Sequence, residues 1–122
     1  MKARVRVLLA DDEEIVRDAI GALLEEDPRF RVVAAVGSAA AAAAAATALR
    51  PDLAVIDVRM PGGGHAAVTA IREHSPETLV MVCSSLDDRF TRSAMAEAGA
   101  AAYVVKGADD VLEAARGALG LS

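Results

Sequence analysis

Five residues of types that handle a phosphate or its metal each follow an apolar run. Asp11 and Asp12 follow Val5-Arg6-Val7-Leu8-Leu9-Ala10, and Asp57 follows Leu53-Ala54-Val55-Ile56. Ser84 follows Leu79-Val80-Met81-Val82-Cys83, and Lys106 follows Ala101-Ala102-Tyr103-Val104-Val105. Three carboxylates form a hard oxygen donor set of the kind Mg²⁺ uses, together with its waters and a phosphate. A hydroxyl and an ammonium are natural partners for phosphate oxygens. A carboxylate with an ordinary pKa of about 3.9 is ionised at neutral pH and needs no base to attack phosphorus. What it needs is a cation to offset charge repulsion and hold the reactants in line.

The elements that must position these groups follow from the pattern around them. Apolar runs of this length and β-branched content read as buried parallel strands. In an open α/β sheet, ligands bind outside the carboxyl ends of the strands, so the five side chains should converge there. Ile15, Val16, Ala19, Ile20, Leu23 and Leu24 recur at helical spacing before Asp27-Pro28. Asp11 or Asp12 is expected to cap that helix, with Asp11-x-x-Glu14 a capping-box variant. Arg31 to Val36 reads as a further strand, broken by Gly37-Ser38, with Ser38 the expected N-cap of a helix from Ala39 to Arg50. The alanine run Ala39 to Ala46 suits that helix by propensity and carries no chemistry.

After the third strand comes the loop Met60-Pro61-Gly62-Gly63-Gly64, then a helix over roughly His65 to His74. Another helix follows Leu86-Asp87-Asp88 and ends at Ala98, with Gly99 as its left-handed cap. A last helix starts at Ala108-Asp109-Asp110 and puts Val111, Leu112, Ala115 and Leu119 on one face. The layout is α/β, a doubly wound (βα)5 domain over residues 1–122. Right-handed crossovers place helices on both faces of a five-stranded parallel sheet.

Composition narrows the class. Apolar residues make up 54% of the 122 and aromatics only 2%, so the core must be built from Val, Leu, Ile and Ala. The net charge is −5 and the pI about 4.9, with no Lys/Arg cluster, which makes this chain a poor nucleic-acid binder. No apolar stretch has transmembrane length and character, and Met1-Lys2-Ala3-Arg4 runs straight into a strand without a signal peptide. The lone Cys83 excludes an internal disulfide and reads as a buried thiol. A cytoplasmic location without membrane contact is expected.

With these motifs in place, the chain resembles a receiver domain of bacterial two-component response regulators, the CheY-like fold. The likeness runs from about Arg4 to Leu119. It rests on the acidic pair after the first strand, Asp57 followed by Met60-Pro61-Gly62, Ser84 after the fourth strand, and Tyr103-x-x-Lys106 closing the fifth. The resemblance implies strand order 2-1-3-4-5, which sets Asp11, Asp12 and Asp57 side by side. It implies Asp57 as phosphoacceptor, with Mg²⁺ held by Asp11, Asp12, Asp57 and the Arg59 backbone carbonyl. Ser84 and Lys106 would contact the phosphate, and Ser84 and Tyr103 would act as the switch. The implied partners are a sensor histidine kinase and an output domain or effector protein. A phosphorylation-dependent homodimer is among the implied assemblies. The likeness is close to receivers that precede a helix-turn-helix output domain, so the chain is expected to be the input module of a longer protein, with a stand-alone regulator as the alternative.

The chain departs from the common pattern where Gly63-Gly64-His65 replace an acid or amide followed by glycine. That change suggests a more flexible loop, with His65 serving the helix start. Rival readings fit less well. Gly62-x-Gly64-x-x-Ala67 formally matches a dinucleotide fingerprint, but an intervening Met-Pro separates it from the strand and no acid stands near 20 residues on. A haloacid-dehalogenase-type phosphohydrolase wants a second acid two residues after the first, where this chain has Arg59. A degenerate receiver acting only as an interaction module is disfavoured because every site residue is present.

Overall fold

Strands and helices alternate strictly: β1 (Val5–Ala10), α1 (Glu14–Leu24), β2 (Phe30–Val36), α2 (Ala39–Leu49), β3 (Leu53–Ile56), α3 (Gly64–His74), β4 (Leu79–Ser84), α4 (Arg89–Ala98), β5 (Ala102–Val105) and α5 (Val111–Leu119). The structure is a computed structural model and describes residues 4–122. Met1, Lys2 and Ala3, which enter the expectation of no signal peptide, lie outside the described residues. The strands form one parallel sheet in the order β2-β1-β3-β4-β5, as the resemblance implies.

Register places the site. Ala10 pairs with Ile56, so Asp11 and Asp57 leave adjacent strands at the same height. Asp57 N donates to Ala10 O at 2.9 Å. On the far side Ser84 pairs with Val105, and Lys106 N donates to Ser84 O at 2.9 Å. The carboxyl rim of the sheet thus carries all the chemistry-bearing residues.

Alternate strand residues face opposite layers. Leu8, Ala54, Ile56, Val80 and Val82 pack toward Ala42 and Ala46 of α2, Val68 and Ile71 of α3, and Met95 of α4. Val7, Leu9, Leu53, Val55, Met81, Cys83 and Val104 pack toward Ile20 and Leu24 of α1 and Leu112 and Ala115 of α5. α2 begins at Ser38, whose hydroxyl accepts from Ala41 N, and ends at Arg50 in the left-handed region at φ 45°. Small side chains at Ala42 and Ala46 let this helix lie close on the sheet, where both are fully buried.

The start of α1 differs from expectation. Its N-cap is Glu13, with no side-chain cap, and neither Asp11 nor Asp12 plays that part. Asp11 Oδ1 instead accepts from Glu13 N at 2.9 Å, an Asx turn inside the loop that precedes the helix. Asp11 still belongs to the strand end, too early in the chain to cap. Ile15 falls on the apolar stripe by spacing but is 86% exposed.

Candidate functional site

The β1 end delivers Asp11 (3% exposed) and the β3 end Asp57 (5% exposed), while Asp12 is exposed at the mouth. One carboxylate oxygen from each of the three lies within 4.8 Å of the others. Lys106 enters from the β5 end: its Nζ lies 2.6 Å from Asp11 Oδ2 and 3.4 Å from Asp57 Oδ2. Four of the residues expected to converge therefore share one crevice.

Ser84 is 1% exposed beside them, but its Oγ accepts from Leu86 N at 3.2 Å. Tyr103 donates its hydroxyl to Leu86 O at 2.7 Å. Leu86 therefore holds Ser84 with one main-chain group and Tyr103 with the other. The Arg92 guanidinium stacks 4.8 Å over the Tyr103 ring and pairs with Asp87 at 2.6 Å. Burial raises the Tyr103 phenol, with the Ser84 hydroxyl opposing that shift.

Electrostatics within the crevice are coupled. Burial raises the Asp57 carboxyl above its ordinary value, and the Asp11 charge adds to this, while the Lys106 ammonium and an Arg59 main-chain N–H pull it back. Burial works against the charged form of Lys106, but its hydrogen bond to Asp11 and the Asp57 charge outweigh this, and its pKa rises. Lys106 is thus the resident counter-cation of two buried acids. Cys83 behaves as the buried thiol expected, its pKa pushed up to about 11 by desolvation.

The donor chemistry fits a hard divalent cation of the Mg²⁺ class. All three side chains offer oxygen, the spacing lets them share one ion, and one is open to solvent so that waters can complete the shell. The Arg59 side chain is exposed. His65 is exposed in the first turn of α3.

Three features were missed in the sequence. The triglycine loop is more than flexible: a Cβ on Gly64 would sit 2.5 Å from Asp57 O and 2.7 Å from Val58 Cα. The bare glycine lets α3 start against the chain that leaves β3. Gly62 and Gly63 take left-handed φ values of 88° and 85° to make the turn. The bridging role of Leu86 is a main-chain one and leaves no trace in residue type. Arg17 Nη1 reaches Asp11 O at 3.1 Å, a contact foreshadowed only by the lean of helical side chains toward the N-terminus.

Comparison with known proteins agrees with this geometry. The family described as response regulator receiver domain matches residues 7–115. The DNA-binding transcriptional activator DevR/DosR of Mycobacterium tuberculosis is 39% identical over 103 residues, covering 84% of this chain and 48% of that protein. Response regulator GacA of Pseudomonas viridiflava is 35% identical over 106 residues, covering 85% and 49%. A protein-glutamate methylesterase/protein-glutamine glutaminase of Paramagnetospirillum magneticum is 33% identical over 109 residues, covering 87% and 31%. The chain thus spans half or less of the length of these relatives. Among solved structures, a two-component response regulator of the LuxR family from Aurantimonas sp. SI85-9A1 superposes with a TM-score of 0.91 at 30% identity, covering 96% of this chain and 86% of that one. The response regulator domain of Thermotoga maritima CheB shares the fold, with a TM-score of 0.87 at 24% identity and coverage of 98% of each chain. A crevice of strand-end acids closed by a strand-end lysine, on a 2-1-3-4-5 sheet matched by this family along most of its length, makes the chain a member of the response regulator receiver domain family.

Proposed function

We propose that Asp57 accepts a phosphoryl group from a histidine kinase and that the resulting aspartyl phosphate switches the face built by α4, β5 and α5. The observation that carries this is the side-by-side placement of Asp57, Asp11 and Asp12 with Lys106 in contact. A carboxylate oxygen of Asp57 attacks the phosphorus of phosphohistidine in line. The new O–P bond forms as the P–N bond breaks, and the electron pair leaves on the imidazole. Mg²⁺, bound through Asp11, Asp12, Asp57 and the Arg59 backbone carbonyl, would offset the charge on the phosphoryl oxygens. Lys106 favours the anionic, nucleophilic form of Asp57 against the cost of burial.

The protein's own residues then read the product. Lys106 turns from Asp11 to a phosphoryl oxygen. The Ser84 hydroxyl leaves Leu86 N to donate to another. That frees the Leu86 peptide, and with it the Tyr103 hydroxyl and the Arg92 stack. Moving a two-state equilibrium from 1:99 to 99:1 takes about 5.5 kcal/mol. Two charge-assisted hydrogen bonds of roughly 1.5–3 kcal/mol each supply on the order of that amount.

The kinase has a surface to use. A groove of about 260 Å³ between α1 and α5 is lined by Ile15, Val16, Ala19, Lys106, Gly107 and Val111, and its Lys106 also contacts Asp11 and Asp57. The exposed Ile15 gives a partner an apolar contact on this groove. Output lies in a further domain or a separate effector, and we place the whole regulator in the cytoplasm. Among the described residues no helix is long and apolar enough to cross a membrane. Incubation with phosphorylated kinase or acetyl phosphate separates the readings. A transient acid-stable, hydroxylamine-labile acyl phosphate supports a receiver. Steady release of a product from an added phosphoester would show a phosphohydrolase, and neither result would show a bare interaction module.

A further inference from the structure

Arg17 is a charged side chain beside the acid crevice that the phosphotransfer scheme leaves unused. It lies in the second turn of α1, and helical side chains lean toward the N-terminus, so it reaches back across the β1–α1 loop. Its Nη1 donates to the Asp11 carbonyl at 3.1 Å. Its Nε is buried and has no acceptor among the described residues. With Asp11, Asp57 and Cys83 it lines a cavity of about 10 Å³, the room of a single water. The guanidinium rests against Gly37, where a Cβ would stand 3.5 Å from Nη1.

The carbonyl it holds belongs to the peptide that joins Asp11 to Asp12. That peptide is planar, so fixing its oxygen fixes how the two successive carboxylates are splayed. Every other polar group of Asp11 is also held. Its N–H donates to Val36 O at 3.0 Å, Oδ1 accepts from Glu13 N at 2.9 Å, and Oδ2 meets Lys106 at 2.6 Å. Of these four restraints only the one from Arg17 acts on the link to Asp12.

We propose that Arg17 is a positioning residue for divalent-cation binding, holding Asp11 and Asp12 in the binding arrangement by pinning the peptide between them. The proposal rests on the receiver reading of the acid cluster. Its test is calorimetric titration of the full chain with MgCl₂ alone, for wild type, Arg17→Met and Arg17→Lys, with circular dichroism confirming the fold. Arg17→Met should weaken Mg²⁺ binding by about tenfold, the size of one charge-assisted hydrogen bond. Arg17→Lys, which can still donate to the carbonyl, should recover most of that loss. Binding by Arg17→Met within twofold of wild type would overturn the proposal, and so would an Arg17→Lys variant no better than Arg17→Met. If Arg17→Met does not fold, the wild-type Arg17 Nε–H resonance decides instead. It should shift as MgCl₂ is added, and an unmoved signal would overturn the proposal. Wild type that binds no Mg²⁺ at all would sink the underlying receiver reading along with it, whereas the other contrary outcomes leave that reading standing.

Discussion

At the scale of single residues, the crevice is a balance between two buried acids and one ammonium. Lys106→Ala should leave the fold intact, because the residue stands at the rim of the sheet, and should leave Asp57 open to phosphorylation. It should uncouple that event from switching. At about 4 Å and an effective dielectric near 20, the attraction lost is on the order of 4 kcal/mol before desolvation. NMR spectra of the variant before and after phosphorylation should therefore differ only around Asp57. Shifts spreading to Tyr103 as in wild type would contradict the assignment. Asp57 itself should be a stability liability when no cation is bound. Burial raises its pKa, so its folded-state contribution is favourable below the unfolded pKa and is lost as pH rises through the folded one. Asp57→Asn in chelator should melt higher than wild type at pH 7, and the gap should close as pH falls through the raised pKa of Asp57. Most of this site was legible because Asp11, Asp57, Ser84 and Lys106 are each the first polar residue after an apolar run and Asp12 follows Asp11. What was not legible is which partners Lys106 and Ser84 take in this structure: Lys106 holds Asp11, and Ser84 accepts from Leu86 N.

At the scale of elements, strand ends and helix starts decide function. The glycine loop before α3 shows how. Adding a methyl at Gly64 pushes against the Asp57 carbonyl and the Val58 backbone, neither of which is a flexible side chain. Gly64→Ala should cost about 1–3 kcal/mol by overpacking and weaken Mg²⁺ binding with it. Gly63→Ala meets no atom within 4 Å and differs by strain at positive φ alone, so it should spare Mg²⁺ binding. A paired set of melts and titrations checks both. The switch should run from Ser84 into α4, β5 and α5, because Leu86 links Ser84 to Tyr103 of β5 and Arg92 extends the link into α4. Beryllofluoride binding should change hydrogen exchange over roughly residues 88–119. Protection confined to α1 and α2 would defeat this route. Element types and most bounds were readable from periodicity and from caps such as Ser38, Asp110 and Gly99. The cap of α1 and the exposure of Ile15 are exceptions, because Asp11 is taken up in a turn before the helix and periodicity does not tell how much of the first turn is covered.

At the scale of the whole molecule, the two ends of the sheet do different work. The carboxyl rim gathers uncompensated charge for chemistry. At the opposite end Asp27 in the α1–β2 turn is clamped by Arg29 at 2.8 Å and Arg116 of α5 at 3.1 Å, and Arg29 also reaches the Ser122 carbonyl at 3.0 Å. The Arg29 guanidinium and main chain hold Asp27 well below the usual carboxylate range, so this clamp stabilises above the unfolded pKa and fails only as pH falls through the depressed one. Fold class and sheet order followed from the alternation of runs and the resemblance. The clamp did not, because it ties Asp27 and Arg29 to Arg116 and Ser122, far along the chain, through residue types common on any surface. The central claim is that the crevice at the carboxyl rim makes an aspartyl phosphate. Incubating the chain with acetyl phosphate and MgCl₂ and mapping the modified residue by mass spectrometry tests it most directly. The label should fall on Asp57, vanish in Asp57→Asn and vanish in excess chelator; label that persists in that variant, or forms equally well without free Mg²⁺, would contradict it.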